Sequence, residues 1–361
     1  MFFLDYNINM QNNVNYFTER AKNCIKRTEA IKGTLPYFCT EYFTAIESRT
    51  TPLTRLNYAY DLRIFFDFLS KKCFSGKDIV KISLDDIENL TAVDIELYLS
   101  YLSFYEFEDK EYSCNEQAKA RKLSAVRSLF KYLFMRDKLN SDVASKVAMP
   151  KKRDKEIIRL DVNESVDEVS DFIETVDNGD GLTARQKKFH ELTKIRDLAL
   201  VTLFLGTGIR ISELVGLNFG DINLETYSFV VTRKGGSRSI LYFGEEVKDA
   251  LHNYLIIQRN LDNKKDKDVP LFISLKGTRI SVRAVENLVK KYAGISAPLK
   301  RITPHKLRST FGTNLYKQTG DIYVVADCLG HRDVNTTKKH YAAITEDIRR
   351  DAIGVVKLRK K

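Results

Sequence analysis

The sequence predicts a mainly α protein in two parts, the second carrying a small antiparallel sheet. Three observations lead there. Apolar residues recur at helical spacing through residues 51–135 and again through 281–329, strand-like runs cluster around residues 229–242 and 271–274, and a charged break at residues 147–160 separates the two stretches. A chain of 361 residues is long enough for two to three domains of roughly 100–200 residues each.

Residues 1–35 carry too little periodicity to form a domain and read as an N-terminal extension. Thr51 and Pro52 suit the cap and first turn of a helix on which Ala59, Leu62, Phe65, Phe66 and Leu69 share one face. A second helix is expected over 92–102. A third, over 117–135, buries Leu123, Val126, Leu129, Phe130 and Leu133, which makes residues 36–146 a compact helical module. The rest of that third helix carries Lys119, Arg121, Lys122, Arg127 and Lys131, a face that either lies against phosphates or is simply solvated. Pro150 and the cluster Lys151, Lys152, Arg153 mark residues 147–160 as a basic linker, which either tracks a duplex or stays extended through its own charge.

The second part, residues 161–345, is mixed. A buried helix over 195–205 ends at Gly206-Thr207-Gly208, and a short helix follows over 211–217. Strands at 229–232 and 239–242 flank the basic, glycine-containing turn Arg233-Lys234-Gly235-Gly236-Ser237-Arg238, and a third strand is expected at 271–274. Helices resume over 281–293, 304–318 and 322–329, and from 336 into a tail, 346–361. There Ile348, Ala352 and Val355 or Val356 form an apolar stripe.

Charge points to a partner. Lys and Arg number 59 against 48 Asp and Glu, a net charge of +11 with a pI near 9.2, which favours a polyanion such as nucleic acid and excludes the acidic disordered classes. Five scattered cysteines without a CxxC pair imply neither a disulfide framework nor a zinc ribbon. The N-terminus lacks the basic start and apolar run of a signal peptide, and no stretch approaches the ~18 apolar residues of a membrane span. A soluble protein of the cytoplasm, associated with the nucleoid, is expected.

Three of the five histidines fall in the last 57 residues. Thr303-Pro304-His305-Lys306-Leu307-Arg308 opens a helix with His305 and Arg308 three apart, where an arginine fork could grip phosphate. An isolated pair of this kind is more often a wet surface. Upstream, Gly206-Thr207-Gly208-Ile209-Arg210 reads either as a plain helix end or as a phosphate-binding arginine held by Glu213 three residues on. Downstream, Leu329-Gly330-His331 precedes Tyr341, which alone among 18 tyrosines would draw no notice.

Taken in order, Gly-Ile-Arg-Ile-Ser-Glu, the hairpin Lys-Gly-Gly, His-x-Leu-Arg, Leu-Gly-His and a terminal Tyr resemble the tyrosine recombinases of the phage-integrase family. Within that family they look like the Xer group, most of all the single-recombinase Xer proteins of streptococci and lactococci. The resemblance implies an N-terminal helical core-binding, SAM-like domain and a mixed α/β catalytic domain, forming a C-shaped clamp around DNA. It implies that Arg210 and Arg308 clamp the phosphate, with His305 and His331 as the two histidines. Lys234 is then the hairpin lysine, Glu213 the acidic supporter and Tyr341 the nucleophile. The basic residues Lys119, Arg121, Lys122, Arg127, Lys131, Lys151, Lys152, Arg153 and Arg238 are candidates for DNA contact. A double-stranded site with inverted repeats and a homotetramer on two duplexes are the implied partners.

The residue types suit the chemistry. Two arginines on the non-bridging oxygens stabilise the charge of a pentacoordinate phosphoryl transition state without a metal ion or other cofactor. A two-metal nuclease needs converging carboxylates, which this sequence does not cluster. Tyrosine attack leaves a 3′-phosphotyrosyl link, in the family, while the lysine protonates the leaving 5′-hydroxyl. The expected function is site-specific recombination, in chromosome-dimer resolution or in integration and excision of a mobile element. A type IB topoisomerase shares the chemistry, and a non-catalytic DNA-binding accessory protein could share the fold. Retention of the whole residue set speaks against the accessory protein.

Overall fold

Helix-forming stripes and their caps account for most of the architecture. The computed structural model describes residues 16–151, 159–163, 166–233, 236–259, 267–330 and 334–335. These divide into two compact units with the break in the basic stretch after Pro150.

The first unit contains α1 (Tyr16–Lys32), α2 (Phe38–Ala45), α3 (Pro52–Phe68), α4 (Leu84–Glu88) and α5 (Ala92–Tyr101), then a hairpin of β1 (Tyr105–Phe107) and β2 (Lys110–Tyr112), then α6 (Glu116–Phe134). Thr51 caps α3 by accepting from the Thr54 amide at 3.2 Å, with Pro52 in the first turn. The Asn115 side chain caps α6 by accepting from the Ala118 amide at 3.0 Å. Ala59, Leu62, Phe65, Phe66 and Leu69 are fully buried, and so are Leu123, Val126, Leu129, Phe130 and Leu133. The two stripes meet: Phe65 packs edge-on against Phe130 and Tyr98 at ring separations of 6.2 and 5.1 Å.

Helix α1 lies in the stretch that the sequence leaves patternless. Its buried positions are Cys24, Thr28 and Ile31, and it packs on α3. Their spacing is helical, but a threonine and a cysteine stand where an apolar stripe shows large aliphatics, and the Thr28 hydroxyl donates to the Cys24 carbonyl. The β1–β2 hairpin is likewise absent from the sequence reading, because three-residue strands carry no periodicity to detect.

The second unit opens with β3 (Val162–Asn163) paired to β4 (Val166–Asp167), then α7 (Glu168–Asn178), α8 (Ala184–Thr207) and α9 (Ile211–Gly216). A sheet of order β5-β6-β7 follows, made of Ile222–Asn223, Ser228–Thr232 and Arg238–Tyr242, with both pairs antiparallel. After it come α10 (Glu245–His252), α11 (Val282–Ser296), α12 (Pro304–Thr319) and α13 (Ile322–Leu329). Helix α8 starts well before residue 195, capped by Thr183 and Gln186. Its buried Asp197 accepts from the Tyr292 hydroxyl at 2.9 Å and the Thr193 hydroxyl at 3.0 Å, tying α8 to α11.

The third strand needs correction. It is β5 at Ile222–Asn223, while the later run makes only isolated bridges, at Pro270 and Ile273. Isolated backbone bonds, such as the Leu271 amide to the Leu217 carbonyl at 2.9 Å, share the run with side-chain donors. Arg259 donates to the carbonyls of Pro270 and Leu271, and Arg196 donates to that of Ile273. With these carbonyls taken by guanidiniums and that of Phe272 by the Ile280 amide, the run is satisfied without a continuous ladder.

No helix of the described residues is long and apolar enough to cross a membrane.

Candidate active site

Two helix ends and one hairpin arm build the site. Helix α8 stops at Gly208, which adopts a left-handed φ of +60° and leaves Arg210 at the N-cap of α9. A Cβ at Gly208 would collide with the ring of Phe311 and lie 2.9 Å from Leu329, so the turn closes this tightly only without a side chain. Helix α13 ends the same way at Gly330, with φ +59°. Its last carbonyls are the negative end of a helix and attract cations.

Arginines converge on those carbonyls. Arg308, buried in the second turn of α12, donates to the carbonyls of Gly208 and Leu329. Arg210 donates to the Gly330 carbonyl at 3.1 Å. Arg233, which follows the last residue of β6, reaches the Leu329 carbonyl at 3.5 Å. The pair named from sequence, Arg210 and Arg308, therefore shares one helix terminus, although 98 positions separate them in the chain.

Glu213 balances this charge. It is buried, accepts from the Arg210 guanidinium at 2.9 Å and from the Arg210 amide at 3.1 Å, and lies 3.5 Å from Arg233. The carboxylate serves both as the N3 residue of α9 and as counter-ion to two guanidiniums. Arg233 is the site residue that the sequence reading passed over. Its position beside Lys234 in a basic turn was the available signal, but nothing local in the sequence shows that its side chain turns toward Glu213.

His305 sits at the second position of α12, exposed, one turn before the buried Arg308. Lys234, His331 and Tyr341 lie outside the described residues, as do Lys152, Arg153 and the tail 346–361. The chain positions that flank them are described: Arg233 precedes Lys234, and Gly330 precedes His331.

The basic face of α6 divides. Lys122 is buried against the wholly buried Asp61, Nζ to Oδ1 at 3.0 Å, and Arg121 pairs with the other oxygen at 2.5 Å while staying half exposed. Burial pushes the Asp61 carboxyl up from its usual range, against the opposing pull of Lys122 and Arg121. Arg127 donates to the carbonyls of Ala144, Ser145 and Val147. The expectation that Lys122 contacts DNA is corrected, since it is buried against Asp61; the half-buried Arg127 ties α6 to the segment that follows it. Lys119 pairs with Glu116 at 3.0 Å. Lys131 and Lys151 are exposed, and Arg238 is exposed while lying 3.5 Å from Asp221.

A cluster of guanidiniums on helix-terminal carbonyls, balanced by one buried carboxylate, is equipped to receive a phosphodiester, since each fork can turn parallel N–H donors onto an anion's oxygens. Comparisons with known proteins bear on the family. The phage integrase family matches residues 151–347, and the phage integrase N-terminal SAM-like domain matches residues 40–137. Among curated proteins, tyrosine recombinase XerS of Streptococcus agalactiae is 32% identical over 352 residues, covering 91% of this chain and 98% of that protein. XerS of Lactococcus lactis subsp. cremoris is 31% identical over 353 residues, with the same coverage. The fold is that of the XerH recombinase in its post-cleavage complex with a palindromic difH substrate (TM-score 0.62, 19% identity, 84% of this chain and 80% of that one). It is also that of a lambda integrase dimer bound to a core site (TM-score 0.58, 14% identity, 84% and 93%). Fold and site define a DNA strand-transfer enzyme of the two-unit helical kind. The chain belongs to the phage integrase family, and its enzyme class is that of the site-specific tyrosine recombinases.

Proposed function

We propose that this recombinase cuts and rejoins double-stranded DNA at an inverted-repeat site through a 3′-phosphotyrosyl link on Tyr341, working as a homotetramer on two duplexes. The observation that carries the proposal is the convergence of Arg210 and Arg308 on the C-terminal end of α13, one residue before His331. In this reading the two arginines, with His305 and His331, hold the scissile phosphate and stabilise its developing charge. Glu213 keeps Arg210 in place. Tyr341 attacks phosphorus, and Lys234 gives its proton to the departing 5′ oxygen. The ester stores the bond energy, so a 5′-hydroxyl from a second duplex reverses the step with no ATP and no metal.

In this reading Lys131, Arg121, Lys119, Lys151, Lys152, Arg153 and Arg238 lie on phosphates of the duplex. The palindromic substrate of XerH and the lambda integrase tetramer on a Holliday junction support the inverted repeat and the tetramer. The tail 346–361 docks on the next protomer and couples cleavage to assembly. The protein acts in the cytoplasm on nucleoid DNA, in chromosome-dimer resolution or in movement of an integrative element. Strand exchange is the test. Incubating two labelled duplexes that carry a site selected from random-sequence DNA for binding should give crossed products. Relaxation of supercoils without exchange would make the enzyme a topoisomerase instead.

A further inference from the structure

We infer that Arg233 is a positioning residue, fastening the β6–β7 turn, and with it Lys234, to the Glu213 carboxylate and the C-terminal end of α13. The inference rests on the reading of Lys234 as the general acid. Three observations meet at this side chain. Arg233 closes the turn: its amide donates to the Ser237 carbonyl at 2.7 Å, and its carbonyl accepts from the Gly236 amide at 3.0 Å. Its guanidinium is tucked in, 11% exposed, at 3.5 Å from both Glu213 and the Leu329 carbonyl. The backbone of α13 is shaped around it: a Cβ at Gly330 would stand 2.5 Å from the Arg233 guanidinium carbon, in a left-handed turn that favours glycine.

Each polar contact is long for a hydrogen bond, so the fastening comes from charge, burial and shape together. Its consequence is positional. On the far side of the turn Gly236, at φ +86°, brings no side chain that could anchor it. A general acid must reach the leaving oxygen to about 2.6–3.2 Å. Arg210 and Arg308 rest on the same helix end as Arg233. Arg233 therefore keeps the acid in register with the phosphate clamp.

In the step itself the Tyr341 phenol gives its proton to solvent and its oxygen bonds to phosphorus, the P–O5′ bond breaks, and the Lys234 ammonium passes a proton to the 5′ oxygen; a 5′ sulfur leaves as thiolate without it. Cleavage is measured on duplexes with oxygen or sulfur at the scissile bridge. Arg233→Met, which keeps the packing beside Gly330, should slow the oxygen substrate about 100-fold, the cost of a misplaced group, while the sulfur substrate stays near the wild-type rate. Arg233→Met in a Lys234→Ala background should be no slower than Lys234→Ala alone, and Arg233→Lys should recover part of the loss. Partial unfolding would slow both substrates alike, so the ratio of the two rates isolates positioning. Equal slowing of both substrates, or multiplying losses in the double variant, overturns the inference. Should Lys234→Ala itself show no sulfur rescue, the acid reading has failed and the inference falls with it. That pattern is distinct from rescue of Lys234→Ala without rescue of Arg233→Met.

Discussion

Glu213→Ala is the substitution with the largest expected effect on the catalytic unit. The carboxylate is 3% exposed and faces two guanidiniums, Arg210 at 2.9 Å and Arg233 at 3.5 Å. Removing one partner of a buried pair costs about 3–5 kcal/mol because the other charge stays buried without compensation. Arg210 is 37% exposed, so water screens its share and the main penalty falls on Arg233, which is 11% exposed. The low end, about 3 kcal/mol, is therefore expected. For a unit of this size each kcal/mol moves the melting temperature by about 2–4 °C, so the catalytic unit should melt about 6–12 °C lower. Glu213→Gln, which keeps an acceptor for the Arg210 amide but loses the charge, should fall between Ala and wild type. Thermal unfolding followed by circular dichroism reads this directly. A Glu213→Ala protein melting within about 2 °C of wild type, less than one kcal/mol on that scale, would show that helix-terminal carbonyls alone hold the arginines.

Two further predictions separate roles that the sequence merges. Gly330→Ala should cost about 1–2 kcal/mol from its left-handed backbone alone and should also slow cleavage by displacing Arg233; wild-type activity in a urea-destabilised variant would remove Arg233 from the site. Lys122→Ala should destabilise the first unit by about 3 kcal/mol by unbalancing Asp61 while leaving the salt dependence of DNA binding unchanged, whereas Lys131→Ala should flatten the slope by about 0.9. Anisotropy titrations at several salt concentrations decide it, and a flatter slope from Lys122→Ala would return that lysine to the DNA.

The legible part of the fold is that carried by large aliphatic and aromatic stripes. Phe65, Phe66, Phe130 and Leu133 announce α3 and α6 because these large buried side chains are unmistakably apolar. Helix α1 escapes notice because Thr28 and Cys24 do the burying. Lys122 was misjudged for a related reason: a lysine at the edge of an apolar stripe looks solvated unless Asp61, 61 residues away, is known to lie beneath it. In the site, Arg210, Glu213 and Arg308 were readable because the motif order carries them, and the structure adds that they meet at the end of α13. Arg233 was not readable, since its partner Glu213 is distant in sequence and the turn drew attention to the lysine alone.

Covalent capture tests the central claim most directly. On a duplex nicked close to the scissile phosphate, the short fragment that carries the freed 5′-hydroxyl diffuses away after cleavage and the protein stays attached to the 3′ end. Wild-type protein should give a denaturant-resistant protein–DNA adduct whose tryptic phosphopeptide carries Tyr341. Tyr341→Phe should bind the same duplex with similar affinity and give none. An adduct from Tyr341→Phe at the wild-type level, or an adduct mapped to another residue, would contradict the account.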